Sequence, residues 1–205
     1  DAGTELRRAR LLDRIAPADG GGPLVTILVA PVGYGKSTIL KALSEPTGGG
    51  HGIYVSLADC EHHPALFLDL VASAVRRSGV RADLAPLLML KKAVMLKQVA
   101  PVSEYGERLP RVLARVFEGH LDDGPLTLLL DECQAVEAGE PLARLVSGLL
   151  RPDARIKLVL SSRRQPPFDL TRHRSQGLLL ELTGHDLAFT VDEVAELLDG
   201  VVGRP

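Results

Sequence analysis

Short, nearly continuous apolar runs recur along the chain: "PLVTILVA" (Pro23–Ala30), "GIYVSL" (Gly52–Leu57), "PLTLLL" (Pro125–Leu130), "IKLVLSS" (Ile156–Ser162) and "LLLEL" (Leu178–Leu182). Because they do not alternate with polar residues, they predict strands buried on both faces of a parallel sheet. Between them the apolar residues return at helical spacing. "GKSTILKALSE" follows the first run, and "PALFLDLVASAVRRSG" the second, with Pro64 placed for a first helical turn and Gly79 for the C-terminal stop. "LLMLKKAVMLKQVA" and "ERLPRVLARVFEGH" fill the long interval before the third run, and "GEPLARLVSGLL" follows it. After the fifth, "TVDEVAELLDG" opens on a capping box, Thr190 with Glu193, and closes at Gly200. Strands alternating with helices predict a doubly wound α/β sheet. The glycine-rich "DGGGP" and "PTGGGHG" read as punctuation around the first strand–helix unit rather than as linkers.

Composition sharpens this picture in a few places. At 205 residues with 45% hydrophobic and 24% charged residues, the chain has material for one well-filled core. Aromatics are only 3% and Trp is absent, so aliphatic side chains must build that core. A net charge of −2, with basic and acidic residues mixed, offers no basic patch for nucleic acid. Any DNA contact would come from domains outside this chain. No apolar run approaches the length of a membrane span, and the charged start "DAGTELRRARLLDRI" is no signal peptide. Cys60 and Cys133 could form one disulfide, but two thiols in such a chain fit a reducing, cytoplasmic setting better.

The chemistry is concentrated in "APVGYGKST", Ala30 to Thr38. It follows the pattern of a phosphate-binding loop, G-x-x-x-x-G-K-[ST], except that alanine stands in the first glycine position. The loop needs glycine where the backbone takes positive φ or closely approaches phosphate oxygens. Those demands fall on Gly33 and Gly35, whereas Ala30 comes straight off a strand and tolerates a Cβ. Pro31, Val32 and Tyr34 complete the turn. Lys36 would reach the terminal phosphates, and Ser37 would offer its hydroxyl to Mg²⁺. The bland alternative, less favoured even for the stretch on its own, is a glycine turn leading into a helix with a solvated lysine.

A second motif favours the nucleotide reading. "LTLLLDEC" places Asp131 and Glu132 at the carboxyl end of an apolar strand. There Asp131 would hold Mg²⁺ through water and Glu132 would polarise the attacking water; the bland alternative is a pair of helix N-cap residues. The fourth run ends in Ser161, Ser162 and Arg163, where a cation could sense the γ-phosphate or simply face solvent.

Together, "APVGYGKST", "YVSLADCEHHPALFLDLVASAV", "LLLDECQAV" and "LVLSSRRQPPFDLTRHRSQGLLLELTGHDLAFTVDEVAELL" resemble the ATPase domain of bacterial STAND regulators. The subgroup is that of the large ATP-binding LuxR-type activators and their maltose-activator relatives, whose loop typically reads A-P-A-G-Y-G-K-T-T. The resemblance runs from about Arg10 to Leu198. It implies a P-loop NTPase of the ASCE type with five parallel strands in the order 5-1-4-3-2, the Arg163 strand lying between the two motif strands. It further implies an ADP-bound closed state, and an ATP- and inducer-bound open state that self-associates. Arg10, in "RLL", matches a segment that lies near the nucleotide base in such relatives. Residues 1–187 would form the nucleotide-binding domain and 188–205 the start of a following helical region, with sensor, oligomerisation and DNA-binding domains outside this chain. Glu132 stands where the family usually has a second aspartate, and Ser37 where threonine is commoner; both keep the required chemistry.

Other clusters read as structure. "DCEHHP" gathers Asp59, Cys60, His62 and His63 but lacks a second ligand pair at tetrahedral spacing. "RRQPPFDLTRHR" is basic yet poor in aromatics, so it reads as a solvated loop, and Met89 and Met95 read as core. The expected function is therefore an ATP/ADP switch with slow hydrolysis in a transcriptional regulator. The alternatives are a turnover ATPase or kinase on the same loop, or a degenerate partner-binding module.

Overall fold

The structure is a computed structural model describing residues 8–17, 22–45, 51–79, 82–96, 102–117, 126–150 and 156–202. Its centre is a parallel sheet of β1 (Val25–Val29), β2 (His51–Ser56), β3 (Leu126–Asp131), β4 (Lys157–Ser162) and β5 (Leu179–Thr183), in the order β2-β3-β4-β1-β5. Each strand falls on one of the apolar runs, and the order is the one the resemblance implied. This is the P-loop NTPase sheet, with β4 inserted between β1 and β3.

Alternate residues of each strand feed two cores. On one face Val25, Ile27, Ile53, Val55, Leu128, Leu130, Leu158 and Leu160 pack against α3 (Pro64–Arg77), α4 (Ala85–Leu96), α5 (Val102–Val116) and α6 (Pro141–Ser147). On the other, Leu28, Leu129, Val159 and Leu182 pack against α1 (Ala9–Ile15) and α2 (Lys36–Ser44). α1 is anchored by Leu11 and Ile15, both buried. Each such side chain contributes roughly 1.5–3 kcal/mol when removed from water.

The helix signals behave as their chemistry demands. Pro64 occupies the first turn of α3, and Gly79 takes a left-handed φ of 75° just beyond its end. Before the last helix, α9 (Val191–Val202), the Thr190 N–H donates to Glu193 Oε2 (2.9 Å) and the Glu193 N–H returns to Thr190 Oγ1 (3.2 Å). This capping box leaves four orphan helix-end groups two fewer to satisfy.

Several expectations are corrected. α9 runs past Gly200 to Val202, since one glycine in an otherwise helical pattern weakens a helix without ending it. Met89 and Met95 are exposed, at 73% and 63%. α4 is apolar almost all round, so its sequence did not say which side faces inward; Leu87 and Leu90, three apart, turn to the core and Met89 points away. β5 is the sheet edge and only partly buried, with its Glu181 paired to Arg174. "RRQPPFDLTRHR" is not all loop: it contains the short α7 (Thr171–Ser175), whose His173 is buried, as is Phe168. Most of the glycine stretches read as punctuation, and the end of the third helical segment at 97–100, lie outside the described residues.

α5 meets α6 at an unusually close approach. Pro110 sits inside α5 and donates no hydrogen bond, which frees the carbonyl one turn earlier, that of Gly106. Gly148, at the end of α6, lies against that carbonyl; a Cβ built on Gly148 would stand 1.9 Å from the Gly106 oxygen. Gly148 has an ordinary helical φ of −63°, so glycine is required there by space alone. Gly148→Ala should therefore lower the stability of the domain by about 1–3 kcal/mol, the usual overpacking cost. A urea unfolding midpoint equal to that of the parent would show that the helices do not approach this closely.

Candidate nucleotide-binding site

Because the strands are parallel, their carboxyl ends lie along one edge, and the motif residues converge there. The chain leaves β1 at Ala30 and turns through Gly33 (φ 92°) and Gly35 (φ 73°) into α2. A Cβ on Gly33 would meet nothing within 4 Å, so backbone angle rather than crowding demands glycine. Ala30 keeps a negative φ, and its methyl is buried with Leu11, Ile39, Leu182 and Leu187. Alanine thus adds apolar contact where a glycine would leave a gap.

Lys36 folds back over the loop, donating from Nζ to the carbonyls of Ala30 (2.6 Å) and Pro31 (2.8 Å). Burial holds its ammonium below the ordinary lysine range; Asp131 opposes that shift and Arg163 adds to it.

Asp131 ends β3, buried. Its Oδ2 accepts from the hydroxyls of Ser37 (2.8 Å) and Tyr54 (3.0 Å), while Oδ1 accepts the Glu132 N–H (2.8 Å). Burial, followed by Asp131, raises the Tyr54 hydroxyl above the ordinary tyrosine range, so it remains a donor. Glu132 takes a left-handed backbone, φ 54° and ψ 43°, and its Oε1 accepts from Arg163 Nη2 at 2.9 Å. Gln134, in the turn that follows, accepts from the Arg163 N–H (3.0 Å) and the Ser162 hydroxyl (3.3 Å), tying the end of β3 to that of β4. The buried Ser161 hydroxyl has no hydrogen-bond partner among the described residues.

These groups surround one cavity of about 410 Å³. The loop lines it with Val32, Gly33, Gly35, Lys36, Ser37 and Thr38. Asp131, Glu132 and Gln134 line it from the end of β3, and Ser161 and Arg163 from the end of β4, which lies between β3 and the loop strand. The Ser37 hydroxyl and the Asp131 carboxylate are hard oxygen donors side by side, and the unpartnered Ser161 hydroxyl adds a third polar group. Such a set fits Mg²⁺.

The family profile of the AAA ATPase domain matches residues 3–160, well over half of the chain. The chain belongs to that family. It is a nucleotide-binding P-loop domain of the ATPase class. No curated protein matches it. Among the described residues of this AAA ATPase domain, no helix is long and apolar enough to cross a membrane.

A second cavity, of about 330 Å³, adjoins the first across Val32 and Gly33. Tyr34 lines it, facing Leu187, Ala188 and Phe189 from the junction between α8 (Gly184–Leu187) and α9. Arg10 does not line either cavity; it binds the carbonyls of Asp186 (3.2 Å) and Ala188 (3.4 Å) behind this wall. Deeper in lies Arg8, 4% exposed, with Nη2 on the Leu187 carbonyl (2.7 Å), Nη1 on the Tyr34 carbonyl (3.4 Å) and its guanidinium 4.6 Å from the Phe189 ring centre. Glu193 Oε2 pairs with it at 3.5 Å.

Sequence reasoning missed Arg8, Gln134 and Tyr54 as site residues. The signal for Arg8 was present, as the first arginine of "RARLL", two before the Arg10 it overlooked Arg8 to reach. Cys60 and Cys133 are free buried thiols, and burial pushes Cys60 up to about 12. His62 pairs with Glu140 at 3.1 Å.

The wall of the second cavity depends on the start of α8, where Asp186 Oδ2 accepts from the N–H and the hydroxyl of Thr183, both at 2.9 Å. The Thr183 N–H, then its hydroxyl and Arg14, hold the Asp186 carboxyl below the ordinary carboxylate range. With the folded pKa depressed, this stabilisation is present above the unfolded value of about 3.9 and is lost as pH falls through the folded one. Asp186→Ala should cost about 1 kcal/mol at neutral pH, and its deficit should shrink below about pH 4. Urea midpoints of parent and variant at both pH values check this.

Proposed function

We propose that this AAA ATPase domain is an ATP/ADP-responsive switch that hydrolyses ATP slowly, within a signal-responsive transcriptional regulator of the LuxR-type STAND class. The observation that carries the proposal is the convergence of Lys36, Ser37, Asp131, Glu132 and Arg163 on one cavity at the carboxyl edge of the sheet. Residues 1–187 form the switch proper, and 188–205 begin the region that moves with it. In this reading the protein is cytoplasmic, self-associates in its ATP state, and meets DNA only through domains outside this chain.

The division of labour follows from the chemistry of each group. The loop N–H groups and the start of α2 receive the phosphates, and Lys36 exchanges the loop carbonyls for phosphate oxygens. Ser37 and Asp131 would hold Mg²⁺, which when bound would supply charge neutralisation on the phosphates. Glu132 takes a proton from the attacking water. Arg163, just past the end of the strand between the two motif strands, reads the γ-phosphate, and leaving Glu132 to do so frees the base. The 2.9 Å Arg163–Glu132 pair supports a slow enzyme, since the base is engaged until the cation is drawn away. Arg8, bridging the loop and the α8–α9 junction, supports communication from nucleotide to α9.

Lys36→Ala should abolish ADP binding without unfolding the domain, because Lys36 contacts the loop rather than the core. Calorimetry with ADP, alongside a thermal melt, tests it, and undiminished affinity would remove the phosphate role from this loop.

Glu132→Gln should retain ATP binding while hydrolysis falls by about 10²-fold or more, the usual loss with a general base. Asp131→Asn should instead weaken binding only where magnesium is present. Identical behaviour of the two variants in turnover and binding assays would rule out this division of roles.

A further inference from the structure

We propose that Tyr54 is a positioning residue for Asp131, setting the direction of its carboxylate before any divalent cation arrives. The inference rests on the reading of Ser37 and Asp131 as the magnesium-binding pair.

The terminal torsion of an aspartate is broad, so hydrogen bonds rather than rotamer preference decide where its oxygens point. Here both oxygens are engaged: Oδ1 by the Glu132 N–H at 2.8 Å, and Oδ2 by the hydroxyls of Ser37 at 2.8 Å and Tyr54 at 3.0 Å. Two of these donors have other duties. Ser37 lines the cavity and lends its oxygen to the cation, and the Glu132 N–H belongs to a left-handed residue at the start of a turn. Tyr54 is different. It belongs to β2, paired in register beside β3 with Tyr54 opposite Leu129 and Ser56 opposite Asp131. Its ring packs against the core shared with α2. It therefore reaches forward along the sheet from a fixed base. It does not line the cavity, and the hydroxyl meets the site at Asp131 Oδ2, which is the route by which it acts in this proposal. A phenylalanine would fill the same space and leave Oδ2 held by Ser37 alone.

The test is ADP titrated into the 205-residue chain, with magnesium and separately with EDTA, for the parent and for Tyr54→Phe. In EDTA the two should bind ADP alike, because the loop and Lys36 are untouched. With magnesium the variant should lose about tenfold of the parent's gain in affinity, as expected for a hydrogen bond to a charged group. The magnesium concentration at half-effect, at fixed ADP, should rise by the same factor. An unmoved ratio, or an equal loss in both conditions, would overturn the positioning role and leave Tyr54 as packing. A parent that binds ADP equally well with and without magnesium would instead overturn the Ser37–Asp131 pair, and this proposal with it. A parent that binds ADP in neither condition would overturn the phosphate site itself.

Discussion

Everything at the site depends on β4 lying between β1 and β3 in an all-parallel sheet. A sheet buried on both faces must carry helices on both faces, and each crossover returns the chain to the same starting edge. All five carboxyl ends therefore open on one side. With β4 inserted, the phosphate-loop strand and the acidic strand are held two strand spacings apart, roughly 10 Å. That gap is wide enough for a cavity and narrow enough for Ser37 to reach Asp131 across it. Were β1 and β3 direct neighbours, the same residues would crowd together and leave no room for a phosphate chain.

Opposite charges crowded into such a cavity need partners. Lys36 takes two loop carbonyls, Asp131 takes two hydroxyls and an N–H, and Glu132 takes Arg163. A ligand phosphate would replace these partners rather than meet naked charges, so binding becomes an exchange of hydrogen bonds. The net gain of each exchange is a small difference between large terms. This is the regime in which two nucleotides differing by one phosphate can favour different arrangements of the same residues.

Much of this was legible in the residues because it was local. Nearly unbroken Leu, Val and Ile runs mark strands, which placed all five, although β5 at the sheet edge is only partly buried; Gly33, Gly35, Lys36 and Ser37 lie within five residues of one another, so their turn could be read directly. What was not legible came from distance. Tyr54 is separated from Asp131 by 77 residues, and Arg8 from Leu187 by 179. A tyrosine in a strand looks the same whether its hydroxyl faces water or a carboxylate. Nor could α4 be oriented, since a helix apolar on most sides has no stripe to follow. The inward turn of Leu87 and Leu90 is decided by the helices around it.

Glu132 shows why a strained residue can be informative. Its left-handed backbone costs on the order of 1–3 kcal/mol for a residue with a Cβ, and glycine in the same place would relieve most of that. The conformation is held from both sides: its N–H is donated to Asp131 Oδ1, and its carbonyl accepts from the Ala135 N–H at 2.9 Å as the turn closes. Those bonds belong to the backbone and would form with any residue. What glutamate alone contributes is the carboxylate, and that carboxylate faces the cavity beside Arg163. A half-exposed ion pair of this kind contributes only about 0–1 kcal/mol, too little to offset the strain. The fold thus gains nothing from glutamate at this position that a relaxed glycine would not supply. Under the proposed function the strain is the cost of keeping a base at the mouth of the phosphate site, and the weakness of its pair with Arg163 is what lets a γ-phosphate take the arginine away.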